Sequence, residues 1–214
     1  MQTDELIASL TSDLKPAPRN LIAQLLGWGT LVGLGIALLA LLVTVGVRAD
    51  LATALFSWPF WMKWTYAISM ALTAYILCDR MARPGGRLSW LILLPLLPLL
   101  MLGVLSIRTQ LHLPEAARMA TWLGHSAALC PFNIGALSIP VFAVLCRTLR
   151  RAAPTQLRTA ACVAGLLSGA IAAFVYGLIC TESSVSFVTT WYTLGMLLPA
   201  AIGALFGNTL LRWR

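Results

Sequence analysis

Six apolar runs, each about as long as a bilayer crossing and separated by short polar connections, leave this chain few ways to fold. A hydrocarbon core of ~30 Å takes about 20 apolar residues of helix. The helix is required because every backbone N–H and C=O must find its partner inside the segment. Only 10% of the 214 residues are charged and the mean hydropathy is +0.86, whereas a soluble domain carries about 25% charged residues. Six spans of ~20 residues use more than half of the chain and leave no room for a folded soluble domain. The expected fold class is all-α: an integral membrane bundle of six transmembrane helices over residues 21–214, preceded by a short segment of residues 1–20. The spans are expected at about Leu21–Val47, Phe60–Arg80, Leu88–Ile107, Pro131–Leu149, Leu157–Cys180 and Ser186–Leu211, with an amphipathic stretch over residues 115–129 before the fourth.

A formal net charge of +8 could signal nucleic acid. Here the basic residues cluster in the connections, which is the positive-inside pattern, and no direct nucleic-acid contact is expected. Lys15, Arg19, Arg80, Arg83, Arg87, Arg147, Arg150, Arg151, Arg158, Arg212 and Arg214 fall on one side. Only Arg48, Lys63, Arg108 and Arg118 fall on the other. Both termini are therefore expected in the cytoplasm of a multi-pass membrane protein, with the lipid bilayer as its surroundings. Residues 1–20 carry Asp4, Glu5 and Asp13 before any apolar run, unlike the basic start of a signal peptide. Pro95, Pro98, Pro140 and Pro199 read as kinks inside spans. Gly29 with Gly33, Gly165 with Gly169, and Gly203 with Gly207 have the spacing of close helix packing.

The chain has no CxxC, HExxH, P-loop or GxSxG motif. None of its seven acids is expected in mid-span, where transporters and pumps place ionisable groups. The expectation is that the protein is not an enzyme and has no resident cofactor. The cysteines carry the remaining chemistry. Cys130 and Cys146 are 16 residues apart on one expected helix, roughly 24 Å. Cys162 and Cys180 are 18 apart, roughly 27 Å. Cys130 and Cys180 thus lie at one membrane face, and Cys78, Cys146 and Cys162 at the other. Outward thiols can be oxidised or can bind soft metals, whereas thiols facing the cytosol stay reduced. Cys130 precedes Pro131 at a helix start, where the N-terminal partial charge favours thiolate. Three readings of the pair remain open at this point: small buried hydrophobes, a disulfide, or a transient heavy-metal site joined by His112, His125 or Glu182. A membrane thiol oxidoreductase or metal transporter would use the same cysteines, and a purely structural subunit would use none.

The N-terminal segment has its own pattern. Thr3 can cap a helix, and Asp4 and Glu5 suit its first turn. Leu6, Ile7, Leu10 and Leu14 then share one face until Lys15, Pro16 and Pro18 end it. So short a helix is marginal alone and needs a surface to bury its apolar side. Its acidic polar side suits a protein groove better than a membrane surface.

These residues together resemble a known family, the NrsF-type (negative regulator of sigma F) membrane anti-sigma factors. The resemblance rests on Thr3-Asp4-Glu5-Leu6-Ile7 with Leu10 and Leu14, on Cys130-Pro131, and on Cys180-Thr181-Glu182-Ser183-Ser184. Its most specific part is that last cysteine followed by Phe187-Val188-Thr189-Thr190-Trp191-Tyr192-Thr193-Leu194-Gly195-Met196. It implies six inner-membrane spans and a cytoplasmic N-terminus that sequesters an extracytoplasmic-function (ECF) sigma factor, here through Leu6, Ile7, Leu10 and Leu14. It also implies that two outward cysteines, matching Cys130 and Cys180, sense heavy metal or oxidative stress and trigger release.

Overall fold

A computed structural model describes residues 21–46, 48, 50–83, 85–86 and 90–212. The expected sigma-binding residues Leu6, Ile7, Leu10 and Leu14 lie outside the described residues, as does Arg87. Among the described residues the protein is helical throughout, with no strand. The elements are α1 (Leu21–Thr44), a short α2 (Leu51–Ala54), α3 (Trp58–Ala82), a 3₁₀ turn (Trp90–Leu93) running into α4 (Leu96–His112), and α5 (Glu115–Leu123). They continue with α6 (Leu129–Ala152), α7 (Leu157–Tyr176), α8 (Val185–Phe187), a π-helical turn (Val188–Tyr192) and α9 (Thr193–Leu210).

Among the described residues five stretches are long and apolar enough to cross a membrane: Leu21–Thr44, Trp90–His112, Leu129–Ala152, Leu157–Tyr176 and Val185–Leu210. The remaining long helix, α3, has 25 residues and spans roughly 37 Å. It falls outside that set by composition, because Lys63, Asp79 and Arg80 lie on it. The boundaries differ from the expected ones for local reasons. Pro95 caps α4 and Pro98 sits in its first turn, so both mark a helix start and not a mid-span kink. Pro140 and Pro199 do lie inside α6 and α9. Helix α7 stops at Tyr176, four residues short of Cys180, which closes a final turn by donating its N–H to the Tyr176 carbonyl at 3.1 Å.

The bundle centres on α7. It is buried along most of its length and packs against α3, α6 and α9. Between membrane helices, lipid offers apolar contact as good as leucine does, so close van der Waals fit has to supply the association. The glycine pairs provide it. A Cβ on Gly169 would lie 2.6 Å from the Met196 Cα, and one on Gly207 would lie 2.7 Å from the Arg158 Cα. Pairs on α7 (Gly165, Gly169) and on α9 (Gly203, Gly207) thus interleave backbone against backbone. On α1, Gly29 and Gly33 let Thr148 and Val141 of α6 approach in the same way. By contrast, α4 buries only Leu102 and stands at the edge, with Leu97, Leu100, Met101 and Val104 facing outward. Between α3 and α4 lies an open apolar groove of about 640 Å³.

The helices alternate in direction, so α1, α4 and α7 end where α3, α6 and α9 begin. At one end the core holds Cys130, Cys180, Tyr66, Phe187 and Tyr192. Toward the other end it holds Cys78, Cys146, Leu149 and Met81.

Candidate functional site

The partition of thiols expected from chain spacing is present in the fold, and the Cys180 end gathers more than thiols. Cys130 stands in the first turn of α6 beside Pro131, and its side chain is fully buried. Cys180 stands just past α7, also buried, and packs in the same cluster. Both sulfurs are free thiols. Their shared packing follows from α6 and α7 running antiparallel, which brings the start of one beside the end of the other.

The segment from Cys180 to Ser184 has no regular secondary structure. Side chains from other elements hold it in place. The Lys63 ammonium, on the first turns of α3, donates to the Cys180 carbonyl oxygen at 2.7 Å and to the Glu182 carbonyl oxygen at 2.9 Å. Lys63 is only 2% exposed. The Arg48 guanidinium reaches the same Cys180 carbonyl at 3.2 Å and makes a two-point pair with Asp50. That hydrogen-bonded pair holds the Asp50 carboxyl below the usual carboxylate range and raises Arg48 above its own, so both stay charged. Lys63, Arg48, Ser57 and the Thr181–Ser183 stretch line a small polar pocket of about 280 Å³.

Glu182 ties the second cysteine to the first. Its carboxylate accepts from the His125 backbone N–H at 2.7 Å and from the Ser126 hydroxyl at 3.3 Å. The Ser126 carbonyl in turn accepts the Cys130 N–H at 2.9 Å. Gly124 makes the approach feasible: it has φ +55°, and a Cβ there would lie 2.7 Å from a Glu182 carboxylate oxygen. One five-residue segment therefore carries one thiol and contacts the loop that leads to the other.

The far wall is the π-helical turn and the start of α9. Widened turns of this kind recur at functional sites because they redirect side chains out of helical register. Here three consecutive residues each do something different. The Trp191 indole donates to the Trp122 carbonyl at 2.9 Å and holds α5 on the bundle. The Tyr192 hydroxyl is buried beside the Cys180 side chain and, among the described residues, has no hydrogen-bond partner of good geometry. Thr193 and Tyr66 share a 2.6 Å hydroxyl contact that joins α9 to α3.

Among the described residues no group of three His, Cys, Asp or Glu side chains is arranged to hold a metal ion. His125 is fully exposed and 3.8 Å from Glu182, and that carboxylate is engaged with the loop. The sequence reading placed Lys63 among loop charges and gave it no role, and it left Tyr192 without one. The signal for Lys63 was available: a cation inside a largely apolar helix, well away from its other charges at Asp79 and Arg80, has to find acceptors within the fold. Which carbonyls it would meet depended on tertiary packing.

The described residues define a class by fold: an all-helical bundle with span-length apolar helices and two buried cysteines in one cluster at one end. The chain belongs to the NrsF family, described as negative regulator of sigma F, whose family model matches residues 10–213. It is 37% identical over 217 residues to the probable anti-sigma-F factor NrsF of Azospira oryzae, covering the whole of both chains. It is 34% identical over 223 residues to the anti-sigma-F factor NrsF of Caulobacter vibrioides, again over the whole of both. No solved structure matches it.

Proposed function

We propose that this protein is a membrane-embedded anti-sigma factor, which binds a sigma factor of the ECF type through its N-terminal segment and releases it when Cys130 and Cys180 react. The observation that carries the reading is the full-length similarity to two anti-sigma-F factors. Span-length helices with outward-facing leucines support the membrane setting, because a surface such as that of α4 suits hydrocarbon and not water. In the resting state Leu6, Ile7, Leu10 and Leu14 bury one helix face on the sigma factor and deny it to RNA polymerase. The juxtaposed outward thiols support the sensing step. A disulfide between them, or a soft metal ion bridging both sulfurs, changes how α6 and α7 meet at the Cys180 end.

A gentle-detergent pull-down of the tagged protein from its native host, beside a Leu10→Glu variant, tests the reading. A sigma factor recovered with the wild type and lost with the variant is the expected result. A charge at the centre of a four-residue apolar face costs about 2 kcal/mol or more, roughly 30-fold in affinity. Recovery of no sigma factor with either protein would overturn it.

A further inference from the structure

A buried lysine in a helix of span length is expensive. Removing an ammonium from water costs several kcal/mol unless its protons are met, and packing alone could be served by a neutral side chain. Lys63 is 2% exposed, and both of its acceptors lie beyond the end of α7, on the segment that carries Cys180. That segment has no helix or strand of its own to fix it. Its ends are tied by the Cys180 N–H on the Tyr176 carbonyl and the Val188 N–H on the Ser184 carbonyl, and its other side-chain links to distant elements include Arg48 on the Cys180 carbonyl and the Glu182 carboxylate on the loop before Cys130. An ammonium on carbonyl oxygens makes charge-assisted hydrogen bonds, about twice as strong as neutral ones.

We propose that Lys63 is a positioning residue for the thiol site: by holding the Cys180 and Glu182 carbonyls against α3, it keeps Cys180 buried and sets how readily that thiol can be reached. This rests on the reading of Cys130 and Cys180 as the sensing pair. Any movement of the Cys180–Glu182 segment draws on both Lys63 bonds at once, and through the Glu182 side chain it also disturbs the loop leading to Cys130. The thiol site is thereby tied to α3 by a side chain that neither participates in thiol chemistry nor lies in the segment that does.

The test uses the full-length protein in native membranes fragmented so that both faces are open, with a water-soluble maleimide as probe and labelling at each cysteine read by peptide mass spectrometry. Wild-type protein should label slowly at Cys180. Lys63→Met, similar in length but unable to donate, should label at Cys180 about tenfold faster or more, because two charge-assisted bonds no longer oppose opening. Lys63→Arg should stay near the wild-type rate, since a guanidinium can also donate to two carbonyls. Cys78 and Cys146, buried toward the far end, should remain protected in every variant. The proposal is overturned if Cys180 is as protected in Lys63→Met as in the wild type, or if Lys63→Arg is as reactive as Lys63→Met. It is equally overturned if all buried cysteines become reactive together, which would mean general loosening. Transcription from a sigma-dependent promoter, read in the same cells, separates the two ideas. Faster labelling without earlier sigma release leaves the role of Lys63 in place and removes the link from the thiols to the sigma factor.

Discussion

Cys130 and Cys180 show what a residue's chain position can and cannot reveal. Depth follows from counting along a helix at 1.5 Å per residue, so placing both thiols at one end needed no tertiary information. Their surroundings did need it. The Cys180 carbonyl accepts from two cations that are 117 and 132 residues away in sequence. A Cys130→Ser, Cys180→Ser double variant keeps every one of these backbone contacts, because they run through carbonyl and amide groups and not through sulfur. It should therefore still sequester the sigma factor while losing response to an oxidant or a soft metal. Promoter activity measured with and without the stimulus checks this, and a normal response in the double variant would remove the sensing role. The Glu182 carboxylate was legible only as a candidate metal ligand. In the fold it serves as a strut between the two thiol-bearing regions, and the reason is that Gly124 has no Cβ to fill the space the carboxylate occupies.

At the level of elements, periodicity and composition located each long helix, because a 20-residue apolar run has no stable alternative to helix in hydrocarbon, but the expected Leu88–Ile107 span is displaced to Leu96–His112. The errors fall at ends, where composition does not decide. Helix α7 stops before Cys180, α4 begins at Leu96 after a 3₁₀ turn and its cap Pro95, and a π-helical turn interrupts the last span at Val188–Tyr192. The glycine spacing did forecast close packing, and the fold specifies the partners: α7 against α9, and α1 against α6. Gly169→Val places branched carbons where the Met196 backbone already lies, 2.6 Å from a bare Cβ. It should separate α7 from α9 at a cost of about 2 kcal/mol or more, with the detergent-solubilised protein melting several degrees lower. Gly103→Val, on the outward side of α4 with open space around it, should leave the melting temperature nearly unchanged.

For the whole molecule, the charge bias of the connections fixes an expected orientation that the helix directions make testable. Alkaline phosphatase, active only outside the cytoplasm, should work when fused after Phe56 or Leu113 and fail when fused after Arg83 or Ala153. Activity after Arg83 would mean that α3, with Lys63, Asp79 and Arg80 along it, does not cross the membrane. The same helix carries Lys63 at one end and the Asp79–Arg83 pair at the other, so it connects the thiol site to the basic connections.

The sequence by itself determined the all-helical fold, the placing of Cys130 and Cys180 at one end of the bundle and the family, because length, hydropathy and short motifs are local properties of the chain. Only the tertiary structure decided that Lys63 is buried, that Glu182 braces the loop before Cys130, and that Tyr192 is buried in the cluster that holds Cys180. Each of these joins atoms far apart in the chain, and such pairings depend on which helix faces which. That choice is made by the fit of glycine-lined backbones, which no single segment contains.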